Sequence, residues 1–165
     1  MMVDRQIYRR WGDRYGEGSF VGKRAMLVTT AGGWAEHYAE RGVNGSIEDL
    51  LFPINHGILY YPGFDVMPPF VAYRADKLDA ASYSRITASL ANRLRGLFAD
   101  DPIPYRMQNG GDYEIPSMNL HPGLERPGQT GFRLHTRSQP QTDERSIDGA
   151  PPDGANLSAT SVDNT

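Results

Sequence analysis

Ala25-Met26-Leu27-Val28-Thr29-Thr30 is a short run of apolar and β-branched residues, set between Lys23-Arg24 and Ala31-Gly32-Gly33-Trp34. With no polar alternation, it reads as a parallel strand buried on both faces. A parallel strand needs a crossover connection to its partner, so the chain is expected to be α/β. The glycines fall at the strand's carboxyl end, where open α/β sheets hold ligands. Gly32 and Gly33, having no Cβ, would let backbone N–H groups approach a planar ligand or an anion, although a Gly-Gly pair alone is more often a tight turn.

Downstream, Ile47, Leu50, Leu51, Ile54, Ile58 and Leu59 fall on one helical stripe, and Ser46 with Asp49 offers a capping box. Pro53 inside this stripe predicts a kink or a late start. Phe64 to Tyr73 is extended but carries Pro68-Pro69, which predicts an interrupted edge strand with a loop after it. Asp79 to Phe98 has Ile86, Leu90, Leu94, Leu97 and Phe98 at helical spacing opposite Arg85, Asn92, Arg93 and Arg95, so a long amphipathic helix is expected there. The order is βαβα.

The flanks differ in character. Residues 1–22 read as a helix end and a loop, and residues 23–99 as the α/β unit. Residues 100–135, rich in Pro and Gly but bearing Tyr105, Tyr113, Leu120, Leu124, Phe132 and Leu134, read as an irregular arm able to dock on a body or a partner. From Thr136 the composition is Ser, Thr, Gln, Asp, Pro and Gly, and a disordered tail is expected.

Composition excludes several functions. A net charge of -3 over 165 residues gives no footprint for nucleic acid. The absence of cysteine removes disulfides, thiolate nucleophiles and thiolate-bound zinc. His37, His56, His121 and His135 lack ligand spacing, so no metal is expected, and His56 reads as a capping or packing residue. No stretch has the length of an apolar membrane span and the start lacks the apolar core of a signal peptide, so the expected compartment is the cytoplasm. Gly18 to Arg24 lacks the length, the Ser or Thr and the preceding strand of a phosphate loop.

Two further residues bear on the glycine loop. Tyr38 could donate a hydrogen bond to a developing negative charge, or be a half-buried aromatic. Asn44 could supply an amide donor, or hold a turn with Gly42 and Gly45.

Taken in order, Gly22-Lys23-Arg24-Ala25-Met26-Leu27, Thr29-Thr30-Ala31-Gly32-Gly33, Gly42-Val43-Asn44-Gly45, Leu51-Phe52-Pro53-Ile54, Gly57-Ile58-Leu59 and Pro62-Gly63-Phe64 resemble the flavodoxin-like NAD(P)H:quinone oxidoreductases, the DT-diaphorase family. Pro104-Tyr105-Arg106 and Asn109-Gly110-Gly111-Asp112-Tyr113 resemble the C-terminal arm of its bacterial members. The resemblance runs from about Tyr15 to Arg137.

The resemblance implies an FAD-containing homodimer, with FMN as the alternative flavin and the arm at the dimer contact. It implies two-electron hydride transfer from NAD(P)H through the flavin to a quinone. Thr29, Thr30, Gly32 and Gly33 then correspond to flavin contacts, Tyr38 to a tyrosine that steadies the reduced ring, and Arg85 to an arginine near the cofactor. Asn44 stands where animal members carry histidine; an amide cannot titrate, so a proton relay there would be shortened. Met1 to Arg5 resembles the middle of the family sequence, which implies a truncated chain holding only the C-terminal half of the sheet. The alternative expectation is a non-catalytic fragment or interaction module, and in either case a marginally stable one.

Overall fold

The computed structural model describes residues 12–137; the helix end expected before Gly12 and the polar tail beyond Arg137 lie outside them. Strand β1 (Arg24–Ala31) pairs in parallel with β2 (Asp65–Tyr73), and these two make the whole sheet among the described residues. The register runs from Arg24 opposite Asp65 to Met26 opposite Met67, then from Val28 opposite Phe70 to Ala31 opposite Tyr73. Leu27 therefore faces both Pro68 and Pro69 across a bulge. A bulge removes the need for two N–H donors that proline cannot supply, so β2 runs straight through the expected interruption.

β1 is not buried on both faces as its composition suggested. None of its residues is buried, and Val28 is 49% exposed. The reason is topological, since β2 is the one strand beside it among the described residues.

Helix α1 (Ile47–Ile54) starts where Ser46 Oγ accepts from Asp49 N at 3.1 Å, so the cap is as expected and the start is not late. Pro53 lies inside it. The disturbance expected there takes the form of a wider turn, a π-helical segment at Asn55–Tyr60 that continues the same rod. Helix α2 (Ala80–Gly96) is capped by the Asp79 carboxylate, which accepts from Ser82 N at 2.7 Å. It ends before Leu97 and Phe98, where Arg24 Nη1 donates to the carbonyls of Leu97 (2.6 Å) and Asp100 (2.7 Å). Its apolar stripe is left uncovered at Leu94, and Phe98 beyond its end is largely exposed.

The core is small. Val66 is buried with Tyr60 and Tyr105, and Tyr15, Phe52, Leu59, Phe64 and Ile103 pack against them. Met67, next along β2 and also buried, points to the opposite face, where Arg24 Nη1 lies 3.9 Å from its sulfur. The arm belongs to this core. Ile103 N donates to Val66 O at 2.8 Å, Arg106 N to His135 O at 2.9 Å and Arg137 N to Pro104 O at 2.8 Å. Tyr105 bridges Thr136, so Thr136 and Arg137 are part of the docked arm and the expected tail boundary moves beyond them. Arg106, 5% exposed, holds the arm together: it donates to Leu134 O (2.9 Å), Leu124 O (2.8 Å) and the Asp112 carboxylate (2.8 Å).

Candidate functional site

The carboxyl ends of both strands meet at one edge, because Ala31 lies opposite Tyr73. Arg74 N donates to Gly33 O at 3.0 Å and so ties the two following loops together. A short 3-10 turn, Ala35–Tyr38, then folds Tyr38 back over the glycines. A Cβ on Gly33 would stand 2.9 Å from His37 Nδ1 and 3.1 Å from Tyr38 Cε2. Glycine is required there by close approach, since Gly33 is not among the residues with positive φ. At Gly32 a Cβ would meet only the Asp76 carboxylate, at 3.7 Å, so its missing side chain leaves a bare patch of backbone.

Around this loop the rings of Tyr38 and Tyr73 lie 5.6 Å apart, and the Arg74 guanidinium sits 3.7 Å over the Trp34 ring. Burial holds the Tyr73 phenol above its ordinary pKa, and the charge of Glu48 and the nearby Tyr38 add to this, so it stays a neutral donor. The Tyr38 hydroxyl has no hydrogen-bond partner among the described residues. Together these groups offer backbone amides, a neutral phenol and flat aromatic walls, a set suited to one edge of a planar ring that gains negative charge.

The remaining residues expected at the site are placed less uniformly. Thr29 and Thr30 are adjacent on β1, so their side chains point to opposite faces and only one of them can face a ligand on a given side. Asn44 is exposed, and its backbone N donates to His37 O at 3.0 Å. It sits between Gly42 and Gly45 in a turn closed by Gly45 N to Gly42 O at 3.0 Å, at the base of the segment that carries Tyr38. Arg85 lies on the exposed side of α2, where its guanidinium donates to Ser82 Oγ on its own helix at 2.9 Å.

A second cluster was not foreseen. Tyr15, Phe52, His56, Arg106, Gln108, Tyr113, Met118, Phe132 and His135 line a cavity of about 340 Å³ between α1 and the arm. His56 stacks between Tyr15 (4.8 Å) and Phe52 (4.5 Å), which places it as a packing histidine. Burial lowers its pKa to about 4, with the nearby His135 adding to the effect, and His135 is lowered by burial and by Arg106. Both imidazoles are therefore neutral at pH 7. The four-residue spacing of Phe52, His56 and Tyr60 was the one trace of this cluster in the sequence; nothing local marks Arg106 as its polar anchor.

Comparison with known proteins converges on one family. The chain is 54% identical over 134 residues to the ribosyldihydronicotinamide dehydrogenase-like protein traD of Penicillium crustosum, covering 81% of this chain and 49% of that one. It is 34% identical over 90 residues to the human ribosyldihydronicotinamide dehydrogenase [quinone], covering 54% of this chain and 39% of that one. A crystal structure of a proposed quinone reductase from Klebsiella pneumoniae superposes with a TM-score of 0.73 at 62% identity, over 78% of this chain and 49% of the other. The chain thus spans about half the length of these relatives, or less. A family model for the flavodoxin-like fold matches residues 3–94, more than half of the sequence. The chain belongs to the flavodoxin-like fold family.

Proposed function

We propose that the chain forms the ring-contacting wall of a flavin-dependent quinone reductase that takes reducing equivalents from NAD(P)H. The observation that carries this is the Tyr38 phenol folded over Gly33 at the carboxyl end of β1, in a chain whose relatives are named as quinone reductases or dehydrogenases. A bound flavin, FAD with FMN as the alternative, would supply the two-electron chemistry between reduced nicotinamide and quinone. The residues of this chain do the rest. Gly32 and Gly33 expose amides to the ring, and one face of the Thr29-Thr30 pair shapes its bed. The Tyr38 phenol donates a hydrogen bond toward the charge that develops at the ring edge. Asn44 beside it can donate from its amide but cannot take up a proton, so protonation of the product draws on solvent. Arg85 would act only if α2 presented it to the cofactor's outer part. The arm is the proposed homodimer contact, and the cytoplasm the proposed compartment.

A second reading, a non-catalytic interaction module, is favoured by the uncovered apolar residues Val28, Leu94 and Phe98 beside a two-stranded sheet. Titration of the purified chain with FAD separates the two. Flavin retained at micromolar concentration, together with quinone-dependent NADPH oxidation, supports the reductase. Absence of both leaves the module.

A further inference from the structure

Trp34 and Arg74 form a pair at the strand ends that hydride transfer itself does not require. Arg74 adopts a left-handed backbone conformation (φ 54°, ψ 34°), which a non-glycine residue seldom keeps without support. Its support is the 3.0 Å bond from its N–H to Gly33 O. Its guanidinium is therefore fixed relative to the glycine loop, 3.7 Å over the Trp34 ring. Trp34 is half exposed, and the Arg74 side chain has no ion-pair or hydrogen-bond partner among the described residues. A stacked guanidinium whose N–H donors are unclaimed among the described residues is preorganised for a group that accepts two parallel hydrogen bonds, and phosphate is such a group.

The Asp76 carboxylate faces Gly32 and disfavours an anion against the ring-contacting backbone. The relatives are named for two kinds of electron donor, ribosyldihydronicotinamide, which has no phosphate, and NAD(P)H, which has several. We infer that Arg74, stacked on Trp34, receives a phosphate of the electron donor, so that this protein favours phosphorylated dihydronicotinamides over the bare riboside. This rests on the quinone-reductase reading. No covalent step is involved; the pair sets which donor binds.

Two donors that differ by a single phosphate test it: dihydronicotinamide mononucleotide and dihydronicotinamide riboside. Because the donors would reduce the flavin, the affinities of their non-reducing tetrahydronicotinamide analogues for the full chain in saturating FAD are measured by titration calorimetry. The mononucleotide is expected to bind about tenfold more tightly, the scale of one charge-assisted bidentate contact. Arg74→Gln is expected to abolish that preference with riboside affinity unchanged, which shows that the site is still folded, and Arg74→Lys is expected to keep part of it. Equal affinities in the wild type, or a preference that survives Arg74→Gln, overturn this inference and leave quinone reduction standing. Binding of neither donor overturns both.

Discussion

Tyr38 packs so closely on Gly33 that a Cβ added to the glycine would lie 3.1 Å from the ring's Cε2. The phenol and the bare backbone are thus one unit, and two substitutions take it apart differently. Gly33→Ala is expected to displace the ring and weaken flavin binding. Tyr38→Phe keeps the packing and removes only the hydroxyl, so flavin affinity should change little while turnover falls roughly tenfold to hundredfold. Flavin titration beside steady-state quinone reduction checks both; a Tyr38→Phe protein with unchanged turnover would remove the phenol from the chemistry.

Acid should loosen the arm. His56 has a pKa of about 4 in the folded chain against an ordinary 6.5, so the folded state holds it neutral while the unfolded chain binds a proton first as pH falls. A depressed folded pKa gives stability that is present in full above pH 6.5 and declines as pH falls toward 4; His135, also lowered, has the same sign. Melting temperatures measured from pH 7.5 to 4.5 are expected to fall across that window. His56→Phe, which keeps the stack on Tyr15 and Phe52, should flatten the decline.

Arg106 and Asp112 are the ion pair on which the arm depends. Their side chains are 6% and 16% exposed, and Arg106 also satisfies two carbonyls from distant parts of the arm. Burial alone would raise the Asp112 carboxyl, but hydrogen bonds from Arg137 and Arg106 outweigh it and hold the pKa below the usual range. Arg106→Met leaves two carbonyls without their donor and the Asp112 carboxylate with Arg137 alone, and is expected to cost about 1–3 kcal/mol. Urea denaturation gives the loss, and faster tryptic cleavage within 110–137 would show that it falls on the arm.

Arg24 clasps the end of α2. Its Nη1 serves the Leu97 and Asp100 carbonyls at once, joining the first residue of β1 to the residues after the last helix. Arg24→Met should cost about 1–3 kcal/mol, because the aliphatic stem is kept while the donor is lost. Faster amide exchange confined to residues 92–100 would localise the effect; uniform exchange would place the clasp elsewhere.

How much of this was legible in the sequence depended on the range of the interaction. The βαβα order, the Ser46 cap and the position of the glycine loop follow from residues within a few positions of one another. Pro68-Pro69 misled because two prolines forbid ladder bonds only in a regular register, and the register shifts at Leu27, on a strand distant in sequence. The apolar run of β1 was correctly a strand but wrongly a buried one, since burial depends on which strands and helices surround it. Arg106 was invisible for the same reason, as its partners Asp112, Leu124 and Leu134 become neighbours only once the arm has folded. Tyr38 could be placed near the glycines from its spacing.

The change of helix type after Pro53 decides what the rod can present. Four residues overshoot one turn of an α-helix, about 3.6 residues, and undershoot the wider π turn. Phe52, His56 and Tyr60, each four apart, straddle the change, so the drift of the first step is undone by the second. Their rings therefore form a ladder, at 4.5 Å and 5.5 Å between successive centroids, instead of spiralling off the helix. Deleting one residue between Asn55 and Ile58 would restore ordinary helical phase, carry Tyr60 out of reach of Tyr105, and turn a rail that guides the arm into a screw with no thread to meet it.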